Sequence, residues 1–307
     1  MDAADGMDLD PKMLHRFELA LDPMDISRSR ARVVGHGEMS AIFEIHGQPD
    51  RIYKRMPLFT NIGDARAYQR LHRDYCQWLT RAGIHLPHWG TALVALPRRP
   101  VILYISQEKI PGHRICHRYI AGSRKRAIET MDRVLEASRK IWDFNRGRRP
   151  GLEIAVDGQL SNWALTADDT LVYLDTGTPF IRCNGIHQLD RRIVLNILPP
   201  WLRWAVPPGV AREVMDRYYH PRKNMVDLLA NLYKEQLPHL IPRFIPRVNA
   251  ALPRGHPPIT PEAVRRYYRG DKAIWQFFEG LRKMDRWVRT RLLHQGYPHI
   301  LPGTIQR

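Results

Sequence analysis

Residues 156–182 read VDGQLSNWALTADDTLVYLDTGTPFIR and set Asp157, Asn162 and Asp175 around a run of strand formers. A carboxylate is costly to bury unless it is paired or bound to a cation. The run LVYL ends directly in Asp175 and then turns through Thr176 and Gly177. A strand tip built this way can hold a metal. An ordinary surface hairpin would use the same turn residues, so the flanking sequence has to choose.

Upstream, residues 32–56 read RVVGHGEMSAIFEIHGQPDRIYKRM. β-branched and apolar runs flank a glycine pair, and Gly47-Gln48-Pro49-Asp50 is a turn, which predicts a three-strand meander. Ala67, Leu71, Tyr75, Trp78 and Leu79 recur at helical spacing, which predicts a helix over 64–81 ending at Gly83. Two more strands are expected at 91–96 and 101–107, before Pro111-Gly112 breaks the pattern. Ile128, Met131, Leu135, Ser138 and Trp142 then mark an amphipathic helix over 122–145. From residue 188 the chain reads as helices broken by Pro199-Pro200, Pro207-Pro208 and Pro257-Pro258. The expected fold class is therefore α+β, with a β-rich N-terminal lobe over 1–110 and a mainly helical C-terminal lobe over 111–307. Residues 1–12 are expected to be loosely ordered.

The 307 residues are 44% hydrophobic and 26% charged, enough for two lobes with real cores. No window is long and apolar enough for a membrane span, and the acidic start MDAADGMDLDPK lacks the apolar segment of a signal peptide. Cys76, Cys116 and Cys183 are odd in number and far apart, which suggests a reduced, cytoplasmic protein. The net charge of +17 would suit nucleic acid, an anionic membrane surface or a phosphorylated ligand. The basic residues are scattered and no RNA-recognition or finger signature accompanies them, so nucleic acid is disfavoured and much of the charge reads as solvated surface.

The first glycine hairpin, Gly35-His36-Gly37-Glu38-Met39-Ser40, has strands on both sides. That excludes the strand-to-helix dinucleotide turn, but such a hairpin can fold over nucleotide phosphates with its backbone N–H groups facing the anion. Lys54 follows inside an apolar strand, where a cation needs an anion or water. Asp74 or Asp64, on the next helix, could pair with it. His85, His88, His113, Cys116 and His117 lack the matched second pair of a zinc site. The segment 201–209, WLRWAVPPG, reads as a helix end. The basic amphipathic stretch 217–244 reads as helical packing or as a wall of an acceptor pocket.

These motifs together resemble the protein-kinase-like superfamily, in its small-molecule branch of aminoglycoside- and choline-type phosphotransferases. Gly35-x-Gly37-x-x-Ser40 is similar to its nucleotide loop, and Lys54 to the strand lysine that grips phosphates. Asp157 and Asn162 have the Asp-x4-Asn spacing of its catalytic loop. Asp175-Thr-Gly177 stands where Asp-Phe-Gly is usual, and Glu108, Lys109 and Ile110 stand at the hinge. The phrases GEMSAIFEI, YKRM, DGQLSNW and DTGTPFIR are also similar to an uncharacterised bacterial family of kinase-like proteins. The resemblance implies ATP and Mg2+ as cofactors, Asp157 as the base, and Asn162 and Asp175 as metal ligands. Gly35 to Ser40, Lys54 with Asp74, and Glu108 to Ile110 would hold the nucleotide. The acceptor would be a hydroxylated small molecule, and the basic surplus would suit an acidic or phosphorylated one. Ala155 replaces the usual histidine, Thr176 replaces phenylalanine, and Glu38 puts a negative charge in the phosphate loop. The rival readings are a pseudokinase-like binding or scaffold module and a basic nucleic-acid-binding protein.

Overall fold

The computed structural model describes residues 9–23, 25–26, 29, 31–36, 40–147, 151–195, 208–287 and 291. A helix, α1 (Pro11–Ala20), comes first. Asp10 caps it by accepting the Lys12 N–H at 2.8 Å, and Pro11 occupies the first turn, where its missing N–H costs nothing. Leu9, at the entry to α1, is buried with Leu14, Phe17 and Leu21. Residues 9–12 are thus part of an ordered element, against the expectation of a loose start.

Strands β1 (Ala31–His36), β2 (Ala41–Ile45) and β3 (Arg51–Phe59) form the expected meander. Helix α2 (Ile62–Arg81) and strands β4 (Trp89–Val94) and β5 (Val101–Glu108) follow. The five strands make one antiparallel sheet in the order β1-β2-β3-β5-β4. Side chains alternate across a strand, and β3 shows what this does. Tyr53 joins the apolar cluster under α1, whereas Met56 joins the cluster under α2. Arg55 points to the α1 face, where its guanidinium makes a paired contact with Glu18 at 2.9 and 2.7 Å. Tyr104 donates to the same carboxylate at 2.5 Å. Lys54 points the other way.

The stripe of α2 lies one residue off the expected one. Ala65, Tyr68, His72, Tyr75, Cys76 and Leu79 face inward, Ala67 is exposed, and Leu71 and Trp78 are half-buried. Periodicity in apolar residues passed over Tyr68 and His72, whose polar tips find partners in the interior.

Beyond β5 come α3 (Cys116–Tyr119) and α4 (Arg124–Gly147), the latter burying Ala127, Met131, Val134, Leu135, Ser138 and Ile141. Five short strands follow: β6 (Leu152–Ile154), β7 (Trp163–Leu165), β8 (Leu171–Tyr173), β9 (Ile181–Cys183) and β10 (Ile186–His187). β7 pairs with β8, and β6 and β10 flank β9. The rest is helical: α5 (Arg191–Leu195), α6 (Pro208–Tyr219), α7 (Pro221–Lys234), α8 (Ile241–Ala251) and α9 (Pro261–Trp287). The chain is mixed α/β, with a β-rich N-terminal region and a mainly helical C-terminal region. The segment 201–207 lies outside the described residues. No described helix is long and apolar enough to cross a membrane.

Candidate active site

β3 brings Lys54 down from the sheet, and the β7–β8 hairpin brings Asp175 up to meet it. Trp163 pairs with Tyr173 in that hairpin. Just beyond this pair, Leu174 N–H donates to the Asn162 carbonyl at 2.8 Å. Asp175 is the next residue out. Lys54 Nζ donates to the Leu174 carbonyl at 2.8 Å and to Asp175 Oδ1 at 3.1 Å. Gln107 Nε2, from the neighbouring strand β5, donates to the same carbonyl at 2.9 Å. The Lys54 side chain is 6% exposed and that of Asp175 is 39% exposed. The cation is sealed in, and the carboxylate that neutralises it still reaches solvent.

The partner of Lys54 is therefore neither aspartate of α2. Asp74 is exposed on the outer face of the helix. Asp64 lies in the first turn, where Asn61 caps its N–H and donates to its carboxylate, each at 2.8 Å. The inward face of α2 carries hydroxyls and an imidazole instead, and these grip the segment after Asp175. Tyr68 donates to the Gly177 carbonyl. His72 Nε2 lies 3.0 Å from Thr176 Oγ1, and Thr176 is fully buried. Burial, with the nearby Lys54 cation, pushes His72 down to about 3, so it stays neutral. Thr176, buried after Asp175, is thus matched by a polar partner on α2. Tyr75 donates to the Ala155 carbonyl at 2.6 Å, holding the backbone two residues before Asp157.

Asp157 is buried, with 8% exposure. Gln159 grips both its oxygens, with the backbone N–H on Oδ1 at 3.2 Å and the side-chain amide on Oδ2 at 2.7 Å. The Asp157 N–H donates to the Tyr173 hydroxyl at 3.1 Å. The loop rests on α7. Asn224 donates to the Val156 carbonyl at 2.8 Å, and Glu235 accepts the Ser161 N–H at 2.8 Å. Neither residue carried a signal in the sequence beyond its place in an amphipathic stretch.

The Glu235 carboxyl is pushed up from 4.5 to about 7 by burial, opposed in part by Ser161 and Lys234. The folded chain thus binds this proton more tightly than the unfolded one. The stabilisation from this group is complete below pH 4.5 and is lost as pH rises through 7. Glu235→Gln, which cannot titrate, should flatten the melting temperature between pH 5 and 8 relative to wild type. An unchanged slope would assign the pH dependence to other groups.

The glycine hairpin is described only at its edges. Gly35 pairs with Ile42 beside a bulge at Val33, and His36 pairs with Ala41. Gly37, Glu38 and Met39 lie outside the described residues, and Ser40 is half-buried. At the end of β5 the amides of Glu108 and Lys109 are taken by the His88 and Asp50 carbonyls at 2.8 and 2.9 Å. Lys109 Nζ pairs with Glu44 at 3.1 Å. Ile110 is half-buried. A cavity of about 270 Å³ lies elsewhere, behind the C-terminal end of α2, lined by Cys76, Ile84, His88 and Trp89 among others. Among the described residues, no three His, Cys, Asp or Glu side chains converge as a metal site.

Fold and site define a mixed α/β protein in which a sheet lysine and a hairpin aspartate meet between a β-rich and a helical region. The chain belongs to a family of unknown function, DUF6206, matched over residues 36–286. No curated protein matches it. Among solved structures it is similar to WaaP in complex with acyl carrier protein, at 11% identity and a TM-score of 0.34. That match covers 80% of this chain and 93% of the other.

Proposed function

We propose that the chain is an ATP-dependent phosphotransferase of the protein-kinase-like fold, acting on a hydroxyl of a small molecule. The observation that carries this reading is the contact of Lys54 with Asp175 at 3.1 Å, with Asp157 and Asn162 on the adjoining loop. Residues 1–110 form the nucleotide lobe and 111–307 the catalytic and acceptor lobe. Phosphoryl transfer needs positioning and charge neutralisation more than covalent help.

Lys54 grips the phosphates, with Asp175 in place of Asp74 as its counter-charge. Gly35, His36, Gly37, Glu38, Met39 and Ser40 cover them. The base of the nucleotide lies against Glu108, Lys109 and Ile110. The Glu108 and Lys109 amides are bonded to the His88 and Asp50 carbonyls, so in this reading the Ile110 N–H donates to the ring edge. Asn162 and Asp175 would hold Mg2+. Their oxygens suit a hard cation that takes one or two protein ligands beside substrate phosphates, and the partly exposed Asp175 carboxylate can reach it. The metal would neutralise phosphate charge. Asp157 orients the acceptor hydroxyl and takes its proton late, as Gln159 releases one oxygen. The surplus of positive charge suits an acidic or phosphorylated acceptor.

A non-catalytic nucleotide-binding module is the second reading. It is favoured by Gln159 occupying both oxygens of Asp157.

Lys54→Met tests the phosphate grip. It keeps the length and apolar bulk of the side chain and removes the cation. Affinity for Mg-ATP should fall by about 10- to 100-fold, the worth of one charge-assisted hydrogen bond, while circular dichroism shows an intact fold. Unchanged affinity would remove Lys54 from the site.

A further inference from the structure

The loop that carries Asp157 and Asn162 is held at both ends by one helix. Near the start of α7, Asn224 Nδ2 donates to the Val156 carbonyl at 2.8 Å. In the middle, a Cβ on Gly158 would come within 3.0 Å of Asn224 Oδ1 and 3.3 Å of Leu228 Cδ1, so the loop backbone lies directly on the helix. At the far end Glu235 takes the Ser161 N–H at 2.8 Å.

A glutamate capping a helix C-terminus ordinarily turns to water, because the helix dipole repels it there. Glu235 does the opposite. The residue is half-buried, yet Oε2 is out of solvent contact with no partner among the described residues. The carboxyl gives up hydration to reach the Ser161 amide.

The helix end is built to aim it. Gln236 takes a left-handed φ of 60°, its N–H donates to the Tyr233 carbonyl at 3.3 Å, and Leu237 N–H donates to the Leu232 carbonyl at 2.8 Å. This paired closure, sealed by the buried Leu237, is normally given to glycine and fixes the direction of the capping residue. Lys234, Asp227 and Cys116 are the titratable neighbours whose fields reach this carboxyl or feel it.

We infer that Glu235 is a positioning residue for this loop, fixing the Leu160–Ser161 peptide against α7 and so setting where the next residue, Asn162, stands relative to Asp175. The functional consequence rests on the phosphotransferase reading; the grip on the loop does not. Loss of the bond loosens the turn that leads into Asn162, whose own backbone keeps its bonds to Gln159 and Leu174, while Lys54 and Asp175, held by other contacts, stay in place. The metal-dependent part of nucleotide binding should suffer, and the metal-free part should not.

The test separates length from charge. E235Q keeps the reach and an acceptor oxygen. E235D keeps the carboxyl but draws it back by one methylene. Hydrogen exchange over 157–162 should quicken about tenfold in E235D, the cost of leaving the Ser161 N–H without its acceptor, and stay close to wild type in E235Q. Affinity for Mg-ATP should fall about tenfold in E235D for the same reason, with affinity for metal-free ATP unchanged. Melting temperatures check that both variants fold. Wild-type protection of the loop in E235D overturns the inference, and so does equal loosening in both variants. If the wild type binds no Mg-ATP, the phosphotransferase reading falls, and loop exchange in the two variants still decides the role of Glu235.

Discussion

Asp157→Asn is expected to keep Mg-ATP bound and to lose transfer. The substitution preserves shape, and the Gln159 backbone N–H can still donate to the amide oxygen that replaces Oδ1. What disappears is the carboxylate proposed to take the acceptor proton. Turnover should fall by about 10²- to 10⁴-fold, the range for removing a positioned acid–base group. Asp175→Asn should behave differently. It strips charge from the candidate metal site, so it should weaken Mg-dependent nucleotide binding as well as turnover. It also leaves the Lys54 ammonium, whose side chain is only 6% exposed, without its carboxylate, so the ligand-free melting temperature should fall too. Isothermal titration with Mg-ATP and a metabolite screen reading ATP conversion to ADP separate the two variants. Full turnover in Asp157→Asn would end its assignment as base. Wild-type behaviour in both variants would return residues 156–182 to an ordinary hairpin.

Glu18→Gln should be the most damaging change to stability. Glu18 and Arg55 are 1% and 3% exposed and make two parallel contacts between α1 and β3. Removing one charge of such a pair leaves the other buried and uncompensated, which costs about 3–5 kcal/mol. For a chain of this size that is a fall of roughly 5–15 °C in melting temperature. The double change Glu18→Leu with Arg55→Met should recover most of the loss, because an apolar pair of similar bulk is often neutral. A double variant as unstable as the single would assign the cost to packing. Since Arg55 adjoins Lys54 on β3, loosening α1 should also weaken nucleotide binding, more mildly than Lys54→Met.

The strand–turn punctuation of residues 32–56 and the helical spacing of 122–145 were legible because local rules govern them: period-two alternation, glycine and proline at turns, an apolar stripe facing a core. The sequence also showed where the candidate site residues stand along the chain, Lys54 in a strand, Asp157 and Asn162 in a loop, Asp175 at a strand tip. It could not choose the partner of Lys54. Asp74 and Asp64 were the near candidates along the chain, and the anion that meets the cation lies far downstream, brought there by the β7–β8 hairpin. Nor could it show that Tyr68 and His72, rather than an acid, line the inner face of α2, because a helix turned by one residue satisfies nearly the same apolar count. Glu18 with Arg55, and Glu235 with Ser161, were invisible for the same reason. A charged residue in an amphipathic helix reads as solvated until another element covers it. The sequence by itself determined the elements and the kinds of side chain available to them. Only the tertiary structure decided which charges are buried and which partners they keep, because a buried ion is tolerated only where a counter-charge or donor arrives from elsewhere in the chain.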